Sequence, residues 1–244
     1  MKWRREKAPN VVLLHAGGLD GRMWRPLTER LGKRFRLHAP DLRGHGSTPL
    51  PPGEYSDVED LVRMLDGLRV DRAVFVGASF GGWVSLQLAT AAPERVSALA
   101  LLAGTLADSE EWSAELAAFS AQEDALLEAG DIEGAVALGL RTWVREPAIA
   151  DVVAEMSRST FELQHGVEAS AREDPVDLGA IAVPTLAVSG GLDFSDFARF
   201  ADQVAAEVPG AERAEIKDAG HLIALERPDA TAELLKPWLE RVSA

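Results

Sequence analysis

Val74-Phe75-Val76-Gly77-Ala78-Ser79-Phe80-Gly81-Gly82-Trp83-Val84 runs from an apolar strand pattern through Gly-x-Ser-x-Gly into an apolar helical stretch. A serine on a sharp strand-to-helix turn projects beyond the sheet, where a substrate carbonyl can reach its hydroxyl. Such a turn holds the serine in a strained backbone conformation. Glycines at 77 and 81 remove side chains that would clash across it. The N-terminus of the following helix offers free N–H groups and partial positive charge. The N–H of Phe80 is thereby placed to meet a developing oxyanion. A serine hydroxyl is a weak nucleophile until a base takes its proton, so Ser79 requires a histidine from elsewhere in the chain.

Working outward, Val11–Leu14, Ala73–Gly77, Ala98–Ala103 and Thr185–Ser189 read as fully buried strands, with Phe35–Ala39 and Arg213–Lys217 as strands of mixed polarity. Amphipathic stretches alternate with them at Trp24–Leu31, Asp57–Leu68, Gly82–Ala92, Phe197–Val208 and Ala230–Val242. This alternation predicts an α/β fold: a mostly parallel central sheet with helices on both faces. The segment from about 109 to 174 shows no strand pattern, carries 15 acidic and 4 basic residues, and places apolar residues at helical spacing. It reads as a helical insertion, leaving 1–108 and 175–244 as the core.

Five histidines are available. His38 lies within a strand pattern and His165 in the acidic helical segment. His15 ends the first apolar strand and His45 sits in an early loop. Only His221, in Asp218-Ala-Gly-His-Leu, lies late in the chain in a loop after a strand, the edge where sites gather in parallel sheets. Asp193 follows the strand and glycine loop Pro184-Thr-Leu-Ala-Val-Ser-Gly-Gly-Leu-Asp and completes the chain order Ser, Asp, His. Its structural alternative is a helix N-cap; Asp196 and Asp108 are competing acids. Small residues in His15-Ala16-Gly17-Gly18-Leu19-Asp20 allow close backbone approach, and the N–H of Leu19 or Gly18 is the expected second oxyanion donor. An imidazole base makes activity rise with pH as it loses its proton.

These segments together resemble the α/β-hydrolase superfamily, and within it the small bacterial esterase, lactonase and perhydrolase-like members. Leu14-His15-Ala16-Gly17-Gly18 is similar to the family's His-Gly oxyanion segment, and Asp41-Leu42-Arg43-Gly44-His45-Gly46-Ser47 to its Asp-x-x-Gly-His-Gly-x-Ser loop. Gly77 to Gly82 resembles its nucleophile elbow; Gly191-Leu192-Asp193 and Gly220-His221 resemble its acid and base segments. The resemblance implies a helical cap near 109–174. Ala16 departs from the family's usual glycine. Ten residues before the first apolar strand are too few for the family's antiparallel opening pair, so one or both of those strands are expected to be shortened or absent. A serine nucleophile argues against the branches that use aspartate on epoxides and haloalkanes.

The expected activity is hydrolysis of a carboxylic ester or lactone of a small, largely uncharged substrate, with Met23, Trp24, Trp112, Phe119, Trp143 and Phe161 as pocket walls or, alternatively, plain core. Two other readings stand beside it: the same triad applied to carbon–carbon bond hydrolysis or a lyase reaction, and a small-ligand receptor with a vestigial triad. The chemistry needs no metal or organic cofactor. The chain has 244 residues, no cysteine and a net charge of −14. That charge opposes nucleic-acid binding and docking on anionic membranes. The charged stretch 1–10 is followed by only four apolar residues, shorter than a secretory signal requires, so a cytoplasmic protein is expected, as a monomer or homodimer.

Overall fold

The computed structural model describes residues 8–105 and 112–244. Its central sheet has six strands: β1 (Asn10–Leu14), β2 (Arg36–His38), β4 (Ala73–Ala78), β5 (Val96–Leu102), β7 (Thr185–Gly190) and β8 (Glu212–Ile216), in the order β2-β1-β4-β5-β7-β8. Every pairing is parallel. Strands covered on both faces read as continuous apolar runs, which is why β4 and β7 are buried at every position. The two mixed-polarity strands, β2 and β8, are the sheet's edges, where one side of the ladder meets no partner. Among the described residues, no antiparallel opening pair precedes β1.

Alternation along the strands divides the core into two layers. Val11, Leu13, Val74, Val76, Ala98, Ala100 and Val188 face a layer that includes α1 (Arg25–Leu31) and α9 (Pro228–Val242), contributing Leu27, Leu31, Leu235, Trp238 and Leu239. Val12, Leu14, Phe75, Leu99, Leu101 and Ala187 face the other layer, with Leu61 and Leu65 of α2 (Asp57–Leu68), Val84 and Leu88 of α3 (Phe80–Ala91), and Phe200 and Val204 of α7 (Ser195–Glu207). Each fully buried side chain of this size contributes ~1.5–3 kcal/mol relative to exposure.

Between β5 and β7 the chain forms α4 (Ala114–Glu128), α5 (Ile132–Trp143) and α6 (Ala150–Gln164). Ser113 and Asp131 cap α4 and α5 by accepting the N–H groups of Leu116 and Gly134. The segment also holds a strand, where the sequence shows no strand pattern. β6 (Ala169–Ala171) pairs in parallel with β3 (Gly53–Tyr55), forming a separate two-stranded sheet. Three residues each, mostly exposed, leave no alternating pattern to read. A four-residue helix, α8 (Ile223–Glu226), separates the His221 loop from α9. Among the described residues, no helix is long and apolar enough to cross a membrane.

Candidate active site

Ser79 stands between β4 and α3 with φ +47° and ψ −114°, a conformation that costs a non-glycine residue ~1–3 kcal/mol. The surroundings over-determine it. Its N–H donates to Leu102 O at 2.9 Å, and its carbonyl accepts from the N–H groups of Gly82 and Trp83 at 2.8 and 3.1 Å. The flanking glycines are sterically required. A Cβ on Gly77 would lie 2.3 Å from Gly81 O, and one on Gly81 would lie 2.2 Å from Leu14 O. The turn therefore packs backbone on backbone, and α3 starts at the residue after the serine.

The acid and base loops, 28 positions apart, are joined by main chain. Gly191 N–H donates to Ile216 O and Leu192 N–H to Ala219 O, at 3.0 and 2.9 Å. A side chain on Gly190 would meet Gly220 O at 2.2 Å. This apposition brings His221 Nδ1 to 2.8 Å from Asp193 Oδ2, with the two side chains only 7% and 2% exposed. The other Asp193 oxygen accepts the Phe194 N–H at 2.8 Å. Asp193 is thus a partner of the imidazole, and the N-cap of α7 is Phe194, without a side-chain cap. Asp196 is occupied elsewhere: it accepts the Ser113 N–H and hydroxyl and pairs with Arg199. Asp108 lies outside the described residues. The His221 ring is held between aromatic rings, with Trp143 at 4.5 Å and Phe197 at 4.3 Å between centroids.

Ser79 and His221 line one cavity of about 200 Å³. Among the described residues the Ser79 hydroxyl makes no hydrogen bond to the ring; such bonds are often long in unliganded enzymes and tighten on substrate. Gly17, Gly18, Leu19 and Phe80 line the same cavity. The Leu19 N–H, one of the two expected second donors, closes a turn onto Ala16 O at 3.2 Å. The N–H groups of Gly18 and Phe80 have no acceptor among the described residues, and Gly18 takes φ +70°, which favours glycine.

His15 supports this loop from below. Its ring is fully buried, Nε2 accepts the Leu42 N–H at 2.9 Å, and Nδ1–H donates to Ala16 O at 2.9 Å. Only the neutral imidazole can accept at one nitrogen while donating from the other. Burial, reinforced by neighbouring His45, pushes its pKa down to about 4. The unfolded chain therefore takes up a proton near pH 6.5 that the folded chain refuses until about pH 4. On this account His15 lowers stability by ~3 kcal/mol as pH falls across that window. Asp57, raised to about 6 by burial, acts in the opposite direction over its own range, so the His15 contribution is read as a difference. The stability of His15→Gln relative to wild type, from denaturant unfolding at pH 7 and pH 4, should shift by about that amount in favour of the variant at the lower pH.

Of the expected wall residues, Phe119, Trp143 and Phe161 line the cavity. Three do not. Met23 and Trp24 are fully buried; Met23 sulfur accepts the Ala16 N–H at 3.3 Å, and Trp24 packs in the core under the sheet. Proximity to the oxyanion segment in sequence did not imply an inward-facing side chain, because the turn Gly21–Trp24 directs both into the core. Trp112 is partly buried against the same core and lies off the cavity. Two carboxylates were missed. Glu123 lines the cavity. Buried Glu226 accepts the Gly220 and Arg145 N–H groups at 2.5 and 2.7 Å, tying the His221 loop to the segment after α5.

The family sequence model described as "Alpha/beta hydrolase family" matches residues 11–234. The chain belongs to the α/β-hydrolase family. This α/β-hydrolase is 32% identical over 251 aligned residues to a pimeloyl-(acyl-carrier protein) methyl ester esterase of Pectobacterium carotovorum, with 95% of each chain covered. Among solved structures it is similar to a hydrolase from Pseudomonas aeruginosa, at TM-score 0.78 and 29% identity over 98% of this chain and 92% of that one. It is also similar to the enol-lactonase of Burkholderia xenovorans, at TM-score 0.79 and 25% identity over 98% and 94%. The α/β-hydrolase is accordingly an enzyme with esterase and lactonase relatives.

Proposed function

We propose that this α/β-hydrolase cleaves a carboxylic ester or lactone of a small, largely uncharged substrate through an acyl-enzyme on Ser79. The observation that carries the reading is the strained Ser79, facing the cavity that also holds His221, whose Nδ1 lies 2.8 Å from Asp193. With its Nδ1–H donated to Asp193, the ring presents the Nε2 lone pair as general base. Nε2 takes the Ser79 proton as Oγ attacks the substrate carbonyl. The oxyanion accepts from Phe80 N–H and Gly18 N–H, a pair that leaves the Leu19 bond intact. The imidazolium then protonates the departing alkoxide. Water, deprotonated by the same ring, attacks the acyl carbon and frees the acid and Ser79.

A cavity of about 200 Å³ is smaller than the ~300–1,000 Å³ typical of drug-sized ligands, which supports a small substrate. Phe119, Trp143, Val153 and Phe161 in its wall support a largely apolar one. We propose further that α4–α6 serve as the cap that shapes this cavity. A panel of short-chain p-nitrophenyl esters and small lactones tests the reading. Saturable turnover of at least one member is expected. Absence of turnover across both series would exclude ester and lactone hydrolysis.

A further inference from the structure

Glu123 is out of place in an apolar pocket. It sits one helical turn after Phe119 on α4, about 6 Å further along the axis, and both residues line the cavity. An aromatic path leads to it from the proposed reaction centre: His221 packs on Trp143 at 4.5 Å, and Trp143 on Phe119 at 4.7 Å. Among the described residues, no cation and no hydrogen-bond donor meets the Glu123 carboxylate. Glu123 is only partly exposed; holding a carboxylate even partly out of water without a partner is costly, and groups retained at such a cost cluster at functional sites.

We propose that Glu123 is a specificity-determining residue that receives a hydrogen-bond donor, best a cationic amine, at the end of the substrate remote from the scissile carbonyl, and that it rejects substrates bearing a carboxylate there. The inference rests on the ester or lactone hydrolase reading above and amends its substrate class in one respect: the substrate is uncharged around the scissile carbonyl and carries a donor at its far end, where Glu123 lines the cavity. A substrate ammonium supplies the charge and the donor the pocket lacks. A substrate carboxylate would meet a like charge in a low-dielectric cavity. Burial, with Asp124 alongside, pushes the Glu123 pKa up to about 7. The titratable groups facing it are Asp124 and, across the cavity, His221; α5 and α6 present Ala135, Gly139, Trp143, Val153, Ser157 and Phe161, none of them acidic or basic.

Two matched ester series test the assignment at pH 8.5, where Glu123 is ionised and an alkylamine is still protonated. One series is methyl 6-aminohexanoate, methyl hexanoate and monomethyl adipate. The other carries the same three groups on the alcohol side, as 6-aminohexyl acetate, hexyl acetate and 6-acetoxyhexanoate. In at least one series, wild-type kcat/KM for the amine should exceed that for the carboxylate by tenfold or more, roughly the scale of a single polar contact. Glu123→Gln should reduce the ratio to within about threefold. In addition, Glu123→Gln should raise Tm at pH 8.5 more than at pH 5, because the unpartnered charge exists only at the higher pH. A wild-type ratio near one in both series, or a high ratio that survives in Glu123→Gln, overturns the assignment while leaving hydrolysis intact. No turnover of any of the six esters, with Ser79 also inert to a fluorophosphonate, removes the underlying hydrolase reading and the assignment with it.

Discussion

Ser79→Ala is expected to lower kcat on any ester this enzyme accepts by on the order of 10⁵–10⁶-fold, with KM nearly unchanged. The loss is that large because the variant keeps the cavity but has no atom to form the acyl-enzyme. Residual activity of ~10³–10⁴ over water should remain, since the oxyanion donors and substrate binding survive the change. The fold should not suffer. Ser79 holds a positive φ through bonds of its main chain to Leu102, Gly82 and Trp83, none of which uses the hydroxyl. Steady-state kinetics with a circular dichroism melt separates the two effects. A variant that melts like wild type yet retains a tenth of its turnover would contradict the assignment of Ser79.

Asp193→Asn is expected to lower kcat by about 10⁴-fold. Asp193 is nearly fully buried and accepts from His221 Nδ1 and from the Phe194 N–H, one on each oxygen. An asparagine amide can keep the Phe194 bond with its oxygen, but it then turns its NH2 toward Nδ1. The ring must answer with the other tautomer, placing its proton on Nε2 and leaving no lone pair toward Ser79. The defect is therefore one of proton location, with little change of shape. It should appear in kcat while substrate KM stays within a few-fold. A fall in activity smaller than about tenfold, in a variant of unchanged stability, would mean that the imidazole does not depend on this carboxylate.

What was legible in the chain was local. β4, the Gly-x-Ser-x-Gly turn and α3 follow one another within nineteen residues, Ala73–Ala91, and each imposes its conformation on the next through backbone-to-backbone packing at Gly77 and Gly81. The pairing of Asp193 with His221 was legible because each ends a glycine-bearing loop after a strand of a parallel sheet, so topology alone carries both to one edge. β2 and β8 gave weaker patterns because edge strands are wetted on one side. The pocket was less legible. Trp24 and Phe119 look alike as aromatic residues at helical spacing, yet one is sealed in the core and the other faces the cavity. Which of the two occurs depends on how α4–α6 sit over the sheet, a non-local matter. Glu123 lies in a strongly acidic segment, where one carboxylate is indistinguishable from its neighbours until the fold places it in the cavity wall. The pairing of β3 with β6, across more than a hundred residues, left no periodic trace at all.

On the proposed mechanism, Ser79 forms the covalent intermediate with His221 as its base. Treatment with a fluorophosphonate, followed by proteolysis and peptide mass spectrometry, tests it most directly. A single adduct on Ser79, formed quickly by wild type and much more slowly by His221→Ala, is the predicted result. An adduct on another residue, or labelling of Ser79 at the same rate in His221→Ala, would contradict it.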